Sequence, residues 1–327
     1  MHFNLKHALI AAVAAFSFTA PAMAQDDYPN KPVRLVIPYG PQGDSNMIGR
    51  LMADELTRLL GQTVFVENIE GGGTAIGTAS AKNSAADGYT LLFTSHQIVS
   101  SWATLKDAGY TPEDFVALGL ITSDANVLTI PAAIPATNLA EFVAYAKEQN
   151  GALSYGAISP GANGAVLSNM LAAAGDFEWT YIPFEGDQES LLGLMRGEIH
   201  GFFGSASMPV AKDTTDNTLP QVTFLAYAGL ERSKYLPDVP TFTELGYPQI
   251  SLGAWTGLFA PKGTPQPIVD KLRAAVDELK KSERLINAID TMKSEMFNGT
   301  IEEFEQLIAA RMDIMTKYME ENNIPKR

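Results

Sequence analysis

The sequence predicts an α/β protein of two lobes with a cleft between them. Apolar strand-like runs alternate with helical patterns over residues 33–93, and a second series of the same layout covers residues 138–226. Such alternation is typical of parallel sheets joined by right-handed crossovers. The chain has 327 residues, a length that favours two lobes over a single core. Because helices end the chain, we expect them to pack back on the first lobe, so that two strands cross between the lobes.

The first series begins with a buried strand at Val33–Ile37. Apolar residues at three-and-four spacing over 47–59 predict an amphipathic helix, with Asp44 or Ser45 as its cap and Gly61 as its end. The rest of the series is predicted as strand 64–66, a glycine turn at 71–73, an alanine-rich helix ending near residue 82, and strand 89–93. These elements form a βαβαβ unit, for which a parallel sheet is expected.

The second series begins with a capping pair, Asn138 and Glu141, before a helix that ends near Gly151. A similar pair, Thr300 and Glu303, precedes the last helix of the chain. The other elements are predicted as strand 153–155, helix 163–174, strand 180–182, a helix ending at residue 196, and strands 199–203, 222–226 and 255–259. The similarity between the two series is one of layout, without a sequence repeat.

The amino-terminal 24 residues have the pattern of a secretory signal. Lys6 precedes an apolar run over 8–20, and Ala22-Met23-Ala24 supplies the small residues of a cleavage site. The run is too short to span a bilayer comfortably, so we expect cleavage after Ala24 and an exported protein rather than an anchored one. The mature chain is then divided into lobe 1, residues 25–126 and 248–327, and lobe 2, residues 127–247.

Composition excludes several classes of site. Acidic residues outnumber basic ones by 37 to 23, which opposes binding to nucleic acid or to anionic membranes. The chain has no cysteine, which rules out disulfides, thiolate catalysis and cysteine-ligated metals. Of four histidines, His96 and His200 lie beyond the predicted signal. This scarcity argues against an enzyme and against a histidine-rich metal site.

The loops that leave the carboxyl ends of the strands are the candidate ligand site, because open parallel sheets bind ligands at that edge. These loops are 38–45, 68–74 and 94–97 in the first lobe, and 156–164, 184–187 and 204–207 in the second. Several precede helices, whose free N–H groups and dipole suit a carboxylate. In the first loop, Gly40 and Gly43 allow a ligand to approach the backbone, and Ser45 offers a hydroxyl.

Other interpretations of these residues stay open. The first loop is also compatible with an ordinary capped turn. The acidic residues Asp44, Glu185 and Asp187 are either solvated caps or cleft residues that repel an anion or bind an amine. Tyr39 and Trp255 either stack on a ligand or pack internally.

The competing class is an exported enzyme with His96 as its base. A hydrolase would need His96 and an acid to converge on Ser205, and the G-x-S-x-G elbow is absent. The dinucleotide and phosphate-loop glycine motifs are absent as well. His200 is expected inside a strand, as a core or surface residue.

Five segments together resemble one family. They are YPNKPVRLVIPYGPQGD from Tyr28, GQTVFVENIEGGG from Gly61, DGYTLLFTS from Asp87, YLPDVPTFTELG from Tyr235 and WTGLFAPKGTPQPIV from Trp255. In this order they are similar to the solute-binding receptors of tripartite tricarboxylate transporters, also called Bug proteins. The resemblance spans essentially the whole mature chain. It implies a periplasmic-binding-protein fold of the type II-like, Venus-flytrap form, which closes on a small organic acid and delivers it to membrane transporter subunits. It implies no catalysis, and we expect a monomer without a cofactor.

In that family the loop after the first strand holds one ligand carboxylate, and loops of the second lobe complete the site. Carried over by position, the ligand-binding candidates of lobe 1 are Tyr39, Gly40, Pro41, Gln42, Gly43, Asp44, Ser45, Ser95 and His96. Those of lobe 2 are Ala162, Asn163, Gly164, Phe184, Glu185, Gly186 and Ser205. The resemblance assigns no catalytic residue and no metal ligand.

The chain departs from the family pattern in several places. Gln42 stands for a usual glycine, Asn46 for a frequent aspartate, Glu185 for a lysine and Gly204 for an aspartate, and the loop at 159–161 is one residue longer. The backbone cradle for one carboxylate is compatible with these changes, whereas a second carboxylate site is not implied. The hypothesis is a ligand with one acidic end and a neutral, aromatic or amine-bearing other end. A ligand sensor for a signalling partner is a further alternative.

Overall fold

The computed structural model describes residues 28–41, 44–158, 162–205, 222–250, 252–292, 294–321 and 326. The predicted signal peptide, Gln42, Gly43 and the loop at 159–161 lie outside these residues, as do the side chains of Asp44 and Asp187. Within the described ranges, none of the helices combines the length and the apolar character needed to cross a bilayer.

Strands and helices alternate along the described chain. The strands are β1 (Val33–Ile37), β2 (Val64–Asn68), β3 (Thr90–Ser95), β4 (Phe115–Asp124), β5 (Asn126–Pro131), β6 (Leu153–Ala157), β7 (Trp179–Pro183), β8 (Gly201–Ser205), β9 (Val222–Tyr227) and β10 (Ala254–Pro261). The helices are α1 (Asp44–Leu60), α2 (Ala75–Lys82), α3 (Gln97–Thr104), α4 (Leu139–Glu148), α5 (Asn163–Gly175), α6 (Asp187–Met195), α7 (Gln266–Leu279), α8 (Glu283–Thr291) and α9 (Ile301–Glu321). The strands and helices predicted from the sequence are present, with small shifts at their ends. α3, β4 and β5 were not predicted.

The first sheet has the strand order β2-β1-β3-β10-β4. β1 is parallel to both β2 and β3, as the βαβαβ pattern predicts. β10 is antiparallel to β3 and to β4, so the sheet is mixed rather than parallel throughout. The mixture arises because β10 enters this sheet on its return from the second one.

The second sheet has the order β7-β6-β8-β5-β9 and repeats this arrangement. β6 is parallel to β7 and β8, and β5 is antiparallel to β8 and β9. β4 ends at Asp124 and β5 begins at Asn126, so the buried Ala125 alone separates strands of the two sheets. Two apolar strands joined by one residue carry no turn signal, which explains why neither was predicted. The predicted two-lobed α/β fold is confirmed.

The carboxy-terminal helices return to the first sheet, as expected. α7 and α8 pack against α1, and α9 packs against α3 and β4. The predicted capping pair before α9 is complete, since Glu303 N donates to Thr300 Oγ1 at 3.1 Å and Thr300 N donates to Glu303 Oε2 at 2.7 Å. Helix α9 is thereby held at its start by two reciprocal hydrogen bonds.

Only one of the two hydrogen bonds of the predicted capping pair before α4 is formed. Glu141 N donates to Asn138 Oδ1 at 2.9 Å, as predicted. The Glu141 carboxylate instead accepts from the backbone N and the hydroxyl of Thr137, both at 2.8 Å. These hydrogen bonds hold the pKa of Glu141 below its ordinary value. Asn138 therefore carries the cap itself.

We expect Asn138→Ala to lower the free energy of unfolding by about 1 kcal/mol, because the first turn of α4 loses its side-chain acceptor. Asn138→Asp keeps an acceptor at the same position and is the matched control. Urea denaturation measures the difference. Equal midpoints for the alanine and aspartate variants would show that the cap contributes nothing.

Candidate functional site

A cavity of about 300 Å³ lies at the carboxyl ends of β1 and β3, beside β4 and β10. It is lined by Tyr39, Ser45, Ser95, His96, Gln97, Thr122, Asp124, Ala254, Trp255 and Thr256. The first four of these were predicted as ligand-binding residues from the sequence. The structure thus brings two of the three predicted first-lobe loops, 38–45 and 94–97, to one site at the sheet edge where α1 and α3 begin, whereas the loop at 68–74 does not line it.

Tyr39 and Ser95 form the polar wall of this cavity. The Tyr39 hydroxyl donates to Ser95 Oγ at 2.6 Å and accepts from Ser95 N at 3.0 Å. Ser95 Oγ also accepts from Gln97 N, at 3.1 Å, in the first turn of α3. Burial raises the pKa of Tyr39 above its ordinary value, so the hydroxyl stays protonated. The Tyr39 hydroxyl is therefore held by hydrogen bonds within the protein, while its side chain lines the cavity.

We expect Tyr39→Phe to lower the free energy of unfolding by about 1–3 kcal/mol, because the buried Ser95 N–H is left without its acceptor. Tyr89→Phe is the matched control: the Tyr89 hydroxyl makes a similar pair of hydrogen bonds to Asn30, each at 3.0 Å, at an exposed position. There the loss should stay within about 0.5 kcal/mol. Urea denaturation of both variants checks the difference, and equal losses would contradict it.

His96 lies between β3 and α3 and borders the cavity. Its backbone N donates to Trp255 O at 2.9 Å, and the two rings meet edge to face with centroids 6.4 Å apart. Its Nδ1 is fully buried and has no hydrogen-bond partner in the described part of the chain. Burial, and secondly the charge of Arg311, hold the pKa of His96 well below its ordinary value of 6.5. The imidazole is neutral at pH 7.

The first loop is positioned by two asparagines. Asn46 Nδ2 donates to Pro41 O at 2.8 Å, and Asn68 Nδ2 donates to Tyr39 O at 2.8 Å and to Asn46 Oδ1 at 2.9 Å. Asn46 is thus part of the loop's support. At Gly40 a Cβ atom would lie 3.0 Å from Glu70 Oε2, so a larger residue would press on that carboxylate.

The second-lobe candidates at the start of α5 lie at the seam between the lobes. Asn163 Nδ2 donates to Asn126 Oδ1 at 2.6 Å and to Leu252 O at 3.1 Å. Its Oδ1 accepts from Arg311 at 3.0 Å. Ala162 precedes the helix as its cap residue, and at Gly164 a Cβ atom would lie 3.1 Å from the carbonyl oxygen of Phe203. These three residues do not line the cavity.

The remaining second-lobe candidates also lie outside the cavity lining. Phe184 N donates to Ala157 O at 3.1 Å, and Glu185 N donates to the Glu189 carboxylate at 2.8 Å. Glu185 is exposed, and Gly186 is the cap residue of α6. Ser205 ends β8 and pairs with Asn126 of β5. His200, expected inside a strand, instead directly precedes β8, with its Nδ1 3.1 Å from Ser154 Oγ.

Several cavity residues were missed from the sequence. Thr122 and Asp124 come from β4, the strand without a local signal, and Thr256 comes from β10. The hydroxyls of Thr122 and Thr256 are 2.7 Å apart. The Asp124 carboxylate accepts from Ser294 Oγ at 2.6 Å and from a backbone N–H at 3.2 Å. A prediction of β4 as a strand crossing toward the second lobe would have indicated its carboxyl end as part of the site.

A larger crevice of about 910 Å³ lies between the loop after β9 and the start of α9. Glu231, Glu295 and Glu303 border it, together with Lys234. None of the predicted ligand-binding residues lines this crevice, and its acidic rim opposes an anion. Among the described residues, no group of three or more His, Asp or Glu side chains could hold a metal ion.

Comparison with known proteins identifies the family of this chain. The family model described as the tripartite tricarboxylate transporter family receptor matches residues 48–324. The chain belongs to this family. The resemblance noted in the sequence is thereby confirmed, and the tripartite tricarboxylate receptors are solute-binding proteins of the periplasm.

Solved structures match this receptor over nearly their whole length. A TctC solute-binding protein from Polaromonas without ligand is 27% identical, with a TM-score of 0.83, covering 90% of this chain and 99% of its own. MatC from Rhodopseudomonas palustris with bound malate is 26% identical, with a TM-score of 0.63 and coverages of 89% and 99%. A further R. palustris protein with adipate is 25% identical, with a TM-score of 0.64 and coverages of 90% and 98%. The receptor thus shares its fold with proteins that bind dicarboxylates.

Proposed function

We propose that this receptor captures a small organic acid in the periplasm and delivers it to the membrane subunits of a tripartite transporter. The observation that carries the proposal is the cavity at the ends of β1 and β3, which combines the starts of α1 and α3 with the hydroxyl of Ser45. Free N–H groups at helix starts favour a carboxylate. Two structures of the same fold that hold malate and adipate support this choice of ligand class.

Binding in this proposal begins on the first lobe and is completed by closure of the second. The lobes divide at residues 126 and 248, close to the single-residue link at Ala125. In this proposal the candidates at Phe184–Gly186 and Ser205, which lie outside the cavity lining, reach the ligand only when the second lobe closes. A ligand that contacts both lobes favours the closed state by its differential affinity for it.

The far end of the ligand is proposed to be neutral, aromatic or amine-bearing. The loop at Phe184–Gly186 carries the Glu185 carboxylate, and the Glu189 carboxylate of α6 accepts from Glu185 N at 2.8 Å. A second ligand carboxylate brought to this loop would meet like charge, which is unfavourable at close range.

Glu185→Gln should therefore improve the binding of plain dicarboxylates, whereas Glu148→Gln, at the end of α4, should leave it unchanged. If plain dicarboxylates bind tightly and Glu185→Gln leaves their affinity unchanged, the proposal of a neutral, aromatic or amine-bearing far end is contradicted.

A thermal-shift screen of residues 25–327, refolded once to remove carried-over ligand, tests the proposed function. The panel holds mono-, di- and tricarboxylates, aromatic acids, amino acids and neutral sugars. Ligand at a hundred times its dissociation constant adds about 2.7 kcal/mol of stability, which gives a clear shift. Shifts confined to carboxylates support the proposal, and shifts confined to amines or sugars overturn it.

Two alternatives are separated by simple measurements. An enzyme that uses the neutral His96 imidazole as a base would consume its ligand, and His96→Ala would abolish the turnover. We expect the bound acid to be recovered unchanged instead. A sensing role predicts binding of the same acid without its uptake, which a transport assay with the membrane subunits distinguishes.

A further inference from the structure

Helix α9 presents one buried face to the seam between the lobes. Phe304, Arg311 and Tyr318 follow each other at intervals of seven residues, which places them on the same side of a helix. The Phe304 ring meets Trp255, a wall of the cavity, with centroids 5.2 Å apart. The Tyr318 hydroxyl accepts from Asn169 of α5 at 2.9 Å. This face therefore contacts both the cavity wall and the second lobe.

Arg311, in the middle of this face, is a buried cation without a carboxylate partner in the described chain. It is 4% exposed. One terminal nitrogen donates to Gly253 O and the other to Asn163 Oδ1, both at 3.0 Å. Its Nε is fully buried and has no partner among the described residues. All of its recorded acceptors are neutral, although a buried charge normally needs an opposite charge.

Arg311 lies next to the cavity wall, because the Gly253 carbonyl that accepts its hydrogen bond directly precedes Ala254, which lines the cavity. Burial lowers the pKa of Arg311 to about 9, so the guanidinium stays charged at pH 7. The same charge contributes to the lowered pKa of His96, which lines the cavity. Asp124 is the opposing charge at the cavity, and its carboxylate is already engaged by Ser294 and by a backbone N–H.

We propose that Arg311 determines the charge selectivity of the cleft: its buried guanidinium, bonded to the Gly253 carbonyl beside the cavity wall, favours a carboxylate in the cavity without touching it. The bound acid supplies an opposite charge near a guanidinium whose acceptors among the described residues are neutral oxygens. Because the guanidinium itself is buried, its charge is screened by water and salt less than a surface charge would be. The proposal rests on the proposed carboxylate function and names the residue that gives the site its preference for acids.

The test compares acids with their amides. Isothermal titration calorimetry measures the binding of adipate, benzoate, adipamide and benzamide to the mature wild type and to Arg311→Gln, Arg311→Met and Arg311→Lys. We expect the glutamine and methionine variants to lose about tenfold in affinity for the acids, which is about 1.4 kcal/mol, and less than about twofold for the amides. Arg311→Lys keeps the charge and should recover acid binding to within about threefold of the wild type.

Arg273→Gln is the matched control for the loss of one arginine. Arg273 also donates to a backbone carbonyl, that of Ala117 at 2.8 Å, but it is paired with Glu305 and lies outside the cavity lining. It should leave the acid-to-amide ratio unchanged. Methionine keeps much of the apolar stem of the arginine, so Arg311→Met provides a second neutral variant if Arg311→Gln unfolds.

The outcomes are distinct. Equal losses for acids and amides would assign Arg311 a purely structural role at the seam and overturn the proposal. Acid binding that is unchanged in both neutral variants would overturn it while leaving the proposed function intact. A wild type that binds neither acid, with no carboxylate hit in the thermal screen, would overturn the proposed function and this inference together.

Discussion

Phe304→Ala is expected to lower the free energy of unfolding by about 3–5 kcal/mol, because it leaves a large cavity in a dense aromatic cluster. The Phe304 ring is fully buried and meets Trp255 and Phe259 with centroids 5.2 and 5.4 Å apart. It also fills the groove over Gly257, where a Cβ atom would lie 2.4 Å from the ring. Helix α9 would lose an aromatic contact with β10 of the first sheet. Chemical denaturation followed by tryptophan fluorescence measures the loss.

Phe142→Ala in the second lobe is the matched control for this prediction. Phe142 is also fully buried, and its ring meets Phe177 and Trp179 with centroids 6.2 and 6.0 Å apart. We expect a similar loss of stability from both variants, since both delete a buried phenylalanine. Phe304→Ala alone should weaken the stabilisation by a bound acid, because Trp255 is a cavity wall. A loss of unfolding free energy below about 1 kcal/mol for Phe304→Ala would contradict the prediction, because it would mean that neighbouring side chains fill the space left by the ring.

Acid should destabilise the protein through His96. Burial and the charge of Arg311 lower the pKa of His96 in the folded state, so between its ordinary value of 6.5 and that lowered value the unfolded chain alone binds the proton. The stability contributed by the neutral imidazole is complete above pH 6.5 and is lost as the pH falls toward the folded-state pKa. The loss approaches at most about 1.4 kcal/mol per pH unit.

His96→Gln removes this titration and is compared with the wild type by urea denaturation at several pH values between 7.5 and 5. The difference in unfolding free energy between the two should change progressively below pH 6.5. His200→Gln is the control, since burial also lowers the pKa of His200 but not as far below its ordinary value as that of His96. Its effect should be smaller. If the unfolding free energies of the wild type and of His96→Gln follow parallel curves over the whole pH range, the prediction is contradicted.

Local sequence patterns predicted the elements that carry the site. The strand at Val33–Ile37 and the amphipathic helix that follows it occur as expected, and Gly61 ends that helix with a φ of 69° that suits glycine. The residues that set these elements lie within one or two helical turns of each other, so the elements can be predicted without the rest of the chain. The same holds for the family resemblance, whose segments lie along the chain in order. Four cavity residues were found in this way.

The tertiary structure decided which of the candidate residues meet. The bond between Tyr39 and Ser95 spans 56 residues and exists because β1 lies beside β3 in the sheet. The contact between Arg311 and Asn163 spans 148 residues and depends on the packing of α9 across the seam. A sequence pattern shows which face of an element is apolar, but the partner of that face is settled only when all elements bury their surfaces together. A buried arginine facing neutral oxygens therefore leaves no signal in the sequence, although its charge acts on the candidate site.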